Sequence, residues 1–292
     1  MNTLASIQWN VDPVAFSVFG LEIRYYGIFW ALAFIAGLYF FTSFVRREKL
    51  PDKLVDSLFW FATILGIVGA RVGHCLFYEP EVYLADPLRM LNIREGGMAS
   101  HGAALGFLLG LILFAWRNKM PFWWAADRIM IPVAIGGAGV RLGNLMNSEI
   151  YGCPTDLPWG FIFERNGETV PMHPTQIYEA LFYVLVFVVL LLFYYKGDAG
   201  RKHPSLMFGV GLIGIFLSRF LLEYIKNDQV GFEEGMKAAI GMNMGQLLSI
   251  PFVLVGVVFV FVGLRSKPQH IAWAEEPAKP KAQKVAPPKA KK

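Results

Sequence analysis

Apolar residues do not alternate with polar ones along this chain; they come in long blocks. Blocks rich in Phe, Leu, Val, Ile, Ala and Gly occupy about 18–45, 55–77, 98–116, 123–142, 175–195, 204–226 and 243–264. A run of roughly 20 such residues is the length a helix needs to cross the hydrocarbon of a bilayer. The second block carries Arg71 and His74 and the fourth carries Asp127 and Arg141, so these two are the weakest spans. Basic residues gather on alternate connections: "RREK" with Lys53, then "RNK", "KGDAGRKH", and "RSK" with the Lys-rich end. "YEPEVYLADP" and "NDQVGFEEG" are poor in them. By the positive-inside rule the pattern predicts an external N-terminus, seven spans and a cytoplasmic C-terminus.

The predicted fold is therefore an all-α polytopic membrane protein with a small extracytoplasmic cap. The membrane domain covers 1–266, and its longest external loop, about 143–174, is the cap. "WGFIF" and "ETVPMHP" in that loop predict short extended pieces between turn residues. From 267 to 292 the Pro/Ala/Lys composition cannot build a core and predicts a disordered cytoplasmic tail. "GARVG" at 69–73 echoes "GVRLG" at 139–143, but five residues do not make a repeat.

Composition agrees. Of 292 residues, 55% are hydrophobic and only 17% charged, against about 25% charged in soluble domains. The net charge of +5 could suggest a nucleic-acid partner, but the excess lies largely in "KPKAQKVAPPKAKK". Such a tail fits a cytoplasmic face or contact with anionic membrane lipid, so no nucleic acid is expected. Cys75 and Cys153 have neither metal-site nor disulfide-framework spacing and read as free thiols. "MNTLASIQWNVDPVAF" lacks the basic start of a cleaved signal, so the first block is expected to be a retained span.

Polar groups at span ends are the candidate chemistry, because a charge within a bilayer is costly. Arg24 and Tyr26 enter the first span, Arg71 and His74 close the second, and His101 enters the third. Arg141, Asn144, Asn147 and Glu149 leave the fourth in "GVRLGNLMNSEIYG". His173 precedes the fifth, and Arg219 with Glu223 lies in the sixth. Each has a structural reading beside the functional one. Arg24 fits snorkelling, Arg219 and Glu223 at i, i+4 fit mutual neutralisation, and Glu149 fits the counter-ion of a buried arginine. Asp127 and Glu179 fit helix-start carboxylates. His101 in "GGMASHGAALG" and His173 in "MHPTQIYE" fit helix caps. Together, three arginines on the outer half of one bundle, with little acidic charge beside them, predict an anionic ligand from the outer leaflet. Arginine suits planar, bidentate capture of phosphate, and a phospholipid headgroup is the natural candidate.

"RLGNLMNSEIYG" resembles the signature of the bacterial prolipoprotein diacylglyceryl transferases, Gly-Arg-x-(Gly/Ala)-Asn-Phe-x-Asn-x-Glu-x-x-Gly. Arg141, Gly143, Asn144, Asn147, Glu149 and Gly152 match; Val140 and Leu145 depart from it without removing a polar group. "RYYGIFWALAF", "GARVGHCLFYEP" (His74 in place of tyrosine), "EGGMASHGAALG", "HPTQIYE", "SRFLLEYIKNDQ" and "MNMGQLLSIP" resemble further family motifs in the family's order.

The resemblance implies a multi-pass protein of the bacterial inner membrane. It would move the diacylglyceryl group of phosphatidylglycerol to the lipobox cysteine of a prolipoprotein, forming a thioether and releasing glycerol phosphate. It implies phosphatidylglycerol, a lipobox peptide and membrane lipids as partners, with neither cofactor nor metal. Carried onto this sequence, Arg141 and Arg219 hold the phosphate, and His101 takes the thiol proton or organises a water that does. Tyr26 and Asn144 orient the lipid, Glu149 and Glu223 position the arginines, and Asn147, Gly152, Arg71 and His173 line the substrate site. A lipid flippase, a scaffold and a metal-dependent transferase are the competing classes. They are disfavoured in turn by the missing paired repeats, by polar groups a scaffold does not need, and by the missing cluster of metal ligands.

Overall fold

The computed structural model describes residues 6–92, 96–227, 239–269 and 271. Its body is seven long helices, each long and apolar enough to cross a membrane. They are α1 (Tyr25–Arg47), α2 (Lys53–Phe77), α4 (Ser100–Asn118), α5 (Phe122–Met146), α6 (Thr175–Tyr195), α8 (Leu206–Leu222) and α9 (Met244–Arg265). Two short helices, α3 (Pro80–Ala85) and α7 (Ala199–Lys202), lie in connections. A 3-10 turn, Glu223–Ile225, continues α8. Leu181, Leu185, Leu254, Val258 and Phe261 stand exposed around the bundle. An apolar girdle of this kind is stable against lipid and not against water.

Six of the seven spans begin and end within a few residues of the expected ranges. The first departs, because residues 18–24 belong to a β-hairpin and not to the helix. Val14–Val18 (β2) and Leu21–Arg24 (β3) form an antiparallel hairpin turning at Phe19 and Gly20, whose φ values are 50° and 81°. The hairpin is apolar enough to blend into the helical block that follows, which hides the boundary from a hydropathy window. Arg24 closes it with an exposed ion pair to Glu22, 3.2 Å.

At the cap end, Ile7–Trp9 (β1) pairs in parallel with Phe161–Phe163 (β4) inside the "WGFIF" segment. The Trp9 indole N–H donates to the Leu145 carbonyl, 3.0 Å, fastening the N-terminal strand to the end of α5. Phe161, Phe163, Met172 and Leu145 form a small core beneath the cap.

A backbone-close seam and a polar lock hold the bundle. Along α2 and α4 the helices touch through glycines; a Cβ on Gly106 would stand 2.0 Å from the Leu65 carbonyl oxygen. Small residues let helix backbones approach where no hydrophobic force drives helices together in lipid. The opposite end of the bundle is locked by polar groups. Glu48 accepts from Arg128 Nε (2.7 Å), Trp124 Nε1 (2.6 Å) and the Tyr194 hydroxyl (2.8 Å). Asp127, fully buried, accepts from the backbone N–H groups of Ser205 and Phe208 at 2.9 and 2.8 Å. It therefore serves a helix start as expected, but the start of α8 and not of its own helix. The tail expected from 267 begins with a hydrogen bond from the Gln269 N–H to the Arg201 carbonyl, 3.0 Å; residues 270 and 272–292 lie outside the described residues.

Candidate active site

The signature leaves α5 through a loop of unusual backbone. Ser148 and Ile150 have φ values of 54° and 61°, a region a β-branched residue rarely enters. Neighbours from "HPTQIYE" hold the loop there. Thr175 Oγ1 donates to the Ile150 carbonyl (2.9 Å) and Gln176 Nε2 to the Glu149 carbonyl (2.7 Å). The Asn166 amide donates to the Ser148 carbonyl (2.6 Å). Gly152 lies where a Cβ would stand 2.3 Å from the Ile225 carbonyl oxygen, so only glycine lets the segment after α8 reach the cap. There Gly152 and Lys226 form an antiparallel bridge, and the Cys153 N–H donates to the Ile225 carbonyl, 2.8 Å.

Above the ends of α5, α6, α8 and α9, ionised groups join into one chain. Arg141 Nε contacts Glu179 Oε2 at 2.5 Å, an ion pair without hydrogen-bond alignment. Glu179 Oε1 accepts from Lys226 Nζ at 2.9 Å, and the same ammonium donates to Glu223 Oε1 at 2.9 Å. Glu223 Oε2 accepts from the Asn243 amide (3.0 Å), and Arg219 Nε stands 3.8 Å from Glu223 Oε1. Asn243 also caps α9 through a reciprocal box with Gln246, so Glu223 lies at the positive end of that helix. Gly245 leaves it room, since a Cβ there would stand 2.6 Å from the Glu223 carboxyl carbon.

Exposure divides the two arginines. The Arg141 side chain is 13% exposed above a fully buried Glu179, whereas Arg219 is 38% exposed. Arg141 is held as a fixed charge, and Arg219 is the more open of the two.

Asn144 connects the signature to this chain. Its Oδ1 accepts from Arg141 (3.1 Å), and its Nδ2 donates to Glu149 Oε1 (2.7 Å), which Asn147 also reaches (3.1 Å). Glu149 thus acts on Arg141 at one remove, and Glu179 is the direct counter-ion. Tyr26 packs its ring over Gly143, where a Cβ would stand 2.7 Å from the ring. The signature, the first-span tyrosine and the sixth-span arginine therefore meet around one place.

His101 lies in a second group, at the start of α4 against the end of α2. Its ring stacks on Tyr78 (centroids 5.7 Å, 26°) and meets the edge of Phe77. His74 stacks on the same Tyr78 at 5.6 Å. Among the described residues no hydrogen bond or ion pair joins His101 to Arg141 or Arg219. Arg71 is buried, and its guanidinium donates to the carbonyls of Arg89, Met90, Asn92, Gly96 and Gly97. Its donors order the loop before α4. His173 lies in the cap, its Nδ1 3.3 Å from the Tyr178 hydroxyl, and burial holds its pKa below the usual histidine value. Tyr151 donates to Glu168 at 2.6 Å, and burial followed by that bond raises its pKa.

The chain matches the family model described as prolipoprotein diacylglyceryl transferase over residues 13–262. It belongs to that family. A phosphatidylglycerol–prolipoprotein diacylglyceryl transferase of Porphyromonas gingivalis is 45% identical over 276 residues, covering 91% of this chain and 98% of that protein. Proteins of the same name from Chloroherpeton thalassium and Tolumonas auensis are each 41% identical, over 266 and 260 residues. They cover 91% and 89% of this chain, and 97% and 98% of their own lengths.

Family membership brings the charged chain into focus, and with it a correction. The sequence suggested cations with little acid beside them. The fold instead sets Arg141, Arg219 and Lys226 among Glu179, Glu223 and Glu149, because packing brings α6 and the end of α8 against α5. Lys226 and Asn243 escaped the sequence reading, as did the counter-ion role of Glu179. Lys226 closes the sixth apolar block, 204–226, and its i, i+3 spacing from Glu223 puts both on one helix face.

Proposed function

We propose that this chain transfers the diacylglyceryl group of phosphatidylglycerol to the lipobox cysteine of prolipoproteins in the bacterial inner membrane, with its cap outside the cytoplasm. The observation that carries this reading is the charged chain from Arg141 to Arg219, which ends in a half-exposed guanidinium. The lipid enters as a phosphodiester with one negative charge. The acceptor sulfur forms a C–S bond to the glycerol carbon of the diacylglyceryl group, and the bond from that carbon to the phosphate oxygen breaks. Glycerol phosphate leaves with the electron pair, so negative charge grows on phosphate oxygens. Preorganised cations in a site shielded from water stabilise such growth best.

In this reading Arg219 binds the phosphate and strengthens its hold as charge develops. Arg141, fixed by Glu179, supplies the second cation. Asn144, tied between Arg141 and Glu149, and Tyr26 on Gly143 orient the lipid. A free thiol has a pKa near 8.5 and reacts as the thiolate. His101, or a water that it organises, takes the proton. The histidine comes from a different helix pair than the arginines, which suits two substrates meeting from two sides. Arg71 and His173 then order the loops around the site. A cleft of about 380 Å³ beside the signature is lined by Asn147, Ser148, Glu149, Tyr151, Asn166 and Asn227. Its lone carboxylate, Glu149, disfavours a phosphate, and its amides and hydroxyls suit the backbone of an acceptor peptide.

The test is direct. Purified protein is incubated with phosphatidylglycerol and a lipobox peptide, and the peptide is weighed by mass spectrometry. A diacylglyceryl adduct on the cysteine is expected; an unmodified peptide in the presence of lipid overturns the reading.

A further inference from the structure

We propose that Lys226 is a positioning residue of this site. Its ammonium sets Glu179 and Glu223 so that Arg141 and Arg219 form one phosphate-binding face, and Gly152 sets Lys226. The inference rests on the transferase reading above and adds to it a residue outside the signature.

The geometry is specific. The Lys226 side chain is 2% exposed, with Nζ 2.9 Å from one oxygen each of Glu179 and Glu223. Each carboxylate uses its other oxygen elsewhere: Glu179 on Arg141, and Glu223 on Asn243. Along the chain the signs therefore alternate, from Arg141 through Glu179, Lys226 and Glu223 to Arg219. Because the ammonium carries part of the demand of Glu223, Arg219 can stand 3.8 Å off that carboxylate and keep its donors. Without it, two buried carboxylates face two arginines alone. Arg219 is then drawn onto Glu223, and its guanidinium no longer faces the lipid.

A purely stabilising role explains this arrangement poorly, since buried ion pairs are often replaced by apolar residues at no loss of stability. The position of Lys226 is itself imposed from the cap. Gly152 bridges its backbone, and the Asn227 N–H reaches the Tyr151 carbonyl at 3.4 Å. The missing side chain of Gly152 is what lets that strand of chain approach. On this reading the last signature residue acts on the arginines through Lys226 and touches no substrate.

The experiment uses the full chain in detergent micelles containing phosphatidylglycerol, with a lipobox peptide as acceptor, and measures KM for each substrate separately. In Lys226→Met the KM for lipid rises on the order of tenfold while the KM for peptide stays unchanged. Lys226→Arg restores the lipid KM. Adding Glu223→Gln to Lys226→Met removes the carboxylate that captures Arg219 and recovers much of the loss, a rescue that a merely structural lysine does not predict. Gly152→Ala raises the lipid KM as Lys226→Met does, and the two changes together do little more than either alone. If Lys226→Met transfers with both KM values unchanged, or only lowers the yield of folded protein, the lysine has no positioning role. If Gly152→Ala and Lys226→Met multiply, the coupling to the cap is wrong. A chain that forms no thioether even unaltered overturns the transferase reading, and this inference with it.

Discussion

Arg219 Nε stands 3.8 Å from Glu223 Oε1, while Arg141 Nε stands 2.5 Å from Glu179 Oε2. The two arginines therefore respond differently to removal. Arg219→Ala abolishes transfer but costs only about 0–1 kcal/mol of stability, since the partly exposed guanidinium stands 3.8 Å off and the buried Glu223 keeps Lys226 and Asn243. Arg141→Ala abolishes transfer and also destabilises, by about 3 kcal/mol at most, because the fully buried Glu179 loses one of its two cationic partners and keeps only Lys226. Thermal unfolding in detergent, run beside the activity assay, separates them; equal losses of stability would contradict the assignment of Arg219 as the free cation. Arg219→Lys keeps the charge but loses the fork, and its kcat/KM falls by roughly tenfold or more.

The spans were legible because a bilayer imposes one demand on every crossing segment, an apolar run of fixed length. Arg141 and Arg219 were legible for the converse reason, as charges in the wrong solvent. The pairing between them was not. Glu179 reaches Lys226 across 47 residues of chain, and no local pattern shows which carboxylate meets which cation once seven helices are packed. Arg71 illustrates the same limit: its charge marks a span end, but the backbone carbonyls that its guanidinium reaches, 18 to 26 residues on, cannot be read from any local pattern. Local signals also mixed at residues 18–24, where a hairpin as apolar as a helix hid the true start of α1.

The α2–α4 seam has no room for a methyl group. Gly106→Ala places its Cβ 2.0 Å from the Leu65 carbonyl oxygen, a backbone atom that can move only with its helix. The helices separate, at a cost of about 1–3 kcal/mol. Gly37→Ala in α1 is the control, because a Cβ there meets nothing within 4 Å and alanine favours a helix by about 1 kcal/mol. Unfolding curves in one detergent should place the first below the parent and the second at or slightly above it. Equal curves would mean that the seam is looser than the structure has it.

His101 stacks on Tyr78, and among the described residues no hydrogen bond or ion pair ties it to the arginines, so its removal should act on the acceptor and not on the lipid. His101→Asn lowers kcat and changes the acidic side of the pH–rate profile, with the KM for phosphatidylglycerol unaltered. Raising the pH in the variant recovers part of the rate, as the thiol ionises unaided above about 8.5. A variant with the parent's profile removes His101 from proton transfer.

The cap carries its own pH dependence through His173. Burial lowers its folded pKa below the ordinary value of 6.5, so the folded cap holds the imidazole neutral and the opened cap binds a proton first. The associated stability is present above about 6.5 and is lost as pH falls through the depressed folded value. The His173 carbonyl accepts from Gly152 and its N–H donates to the Cys153 carbonyl, at 2.8 and 3.0 Å. Opening should therefore be read at those amides. Hydrogen-exchange protection at Gly152 and His173, corrected for the intrinsic rate, should fall between about pH 7 and pH 5. In His173→Gln, which cannot titrate there, it should stay flat. Protection that stays level in the parent as well would show that the imidazole is solvated in the folded cap, and that the bond to Tyr178 does not shield it.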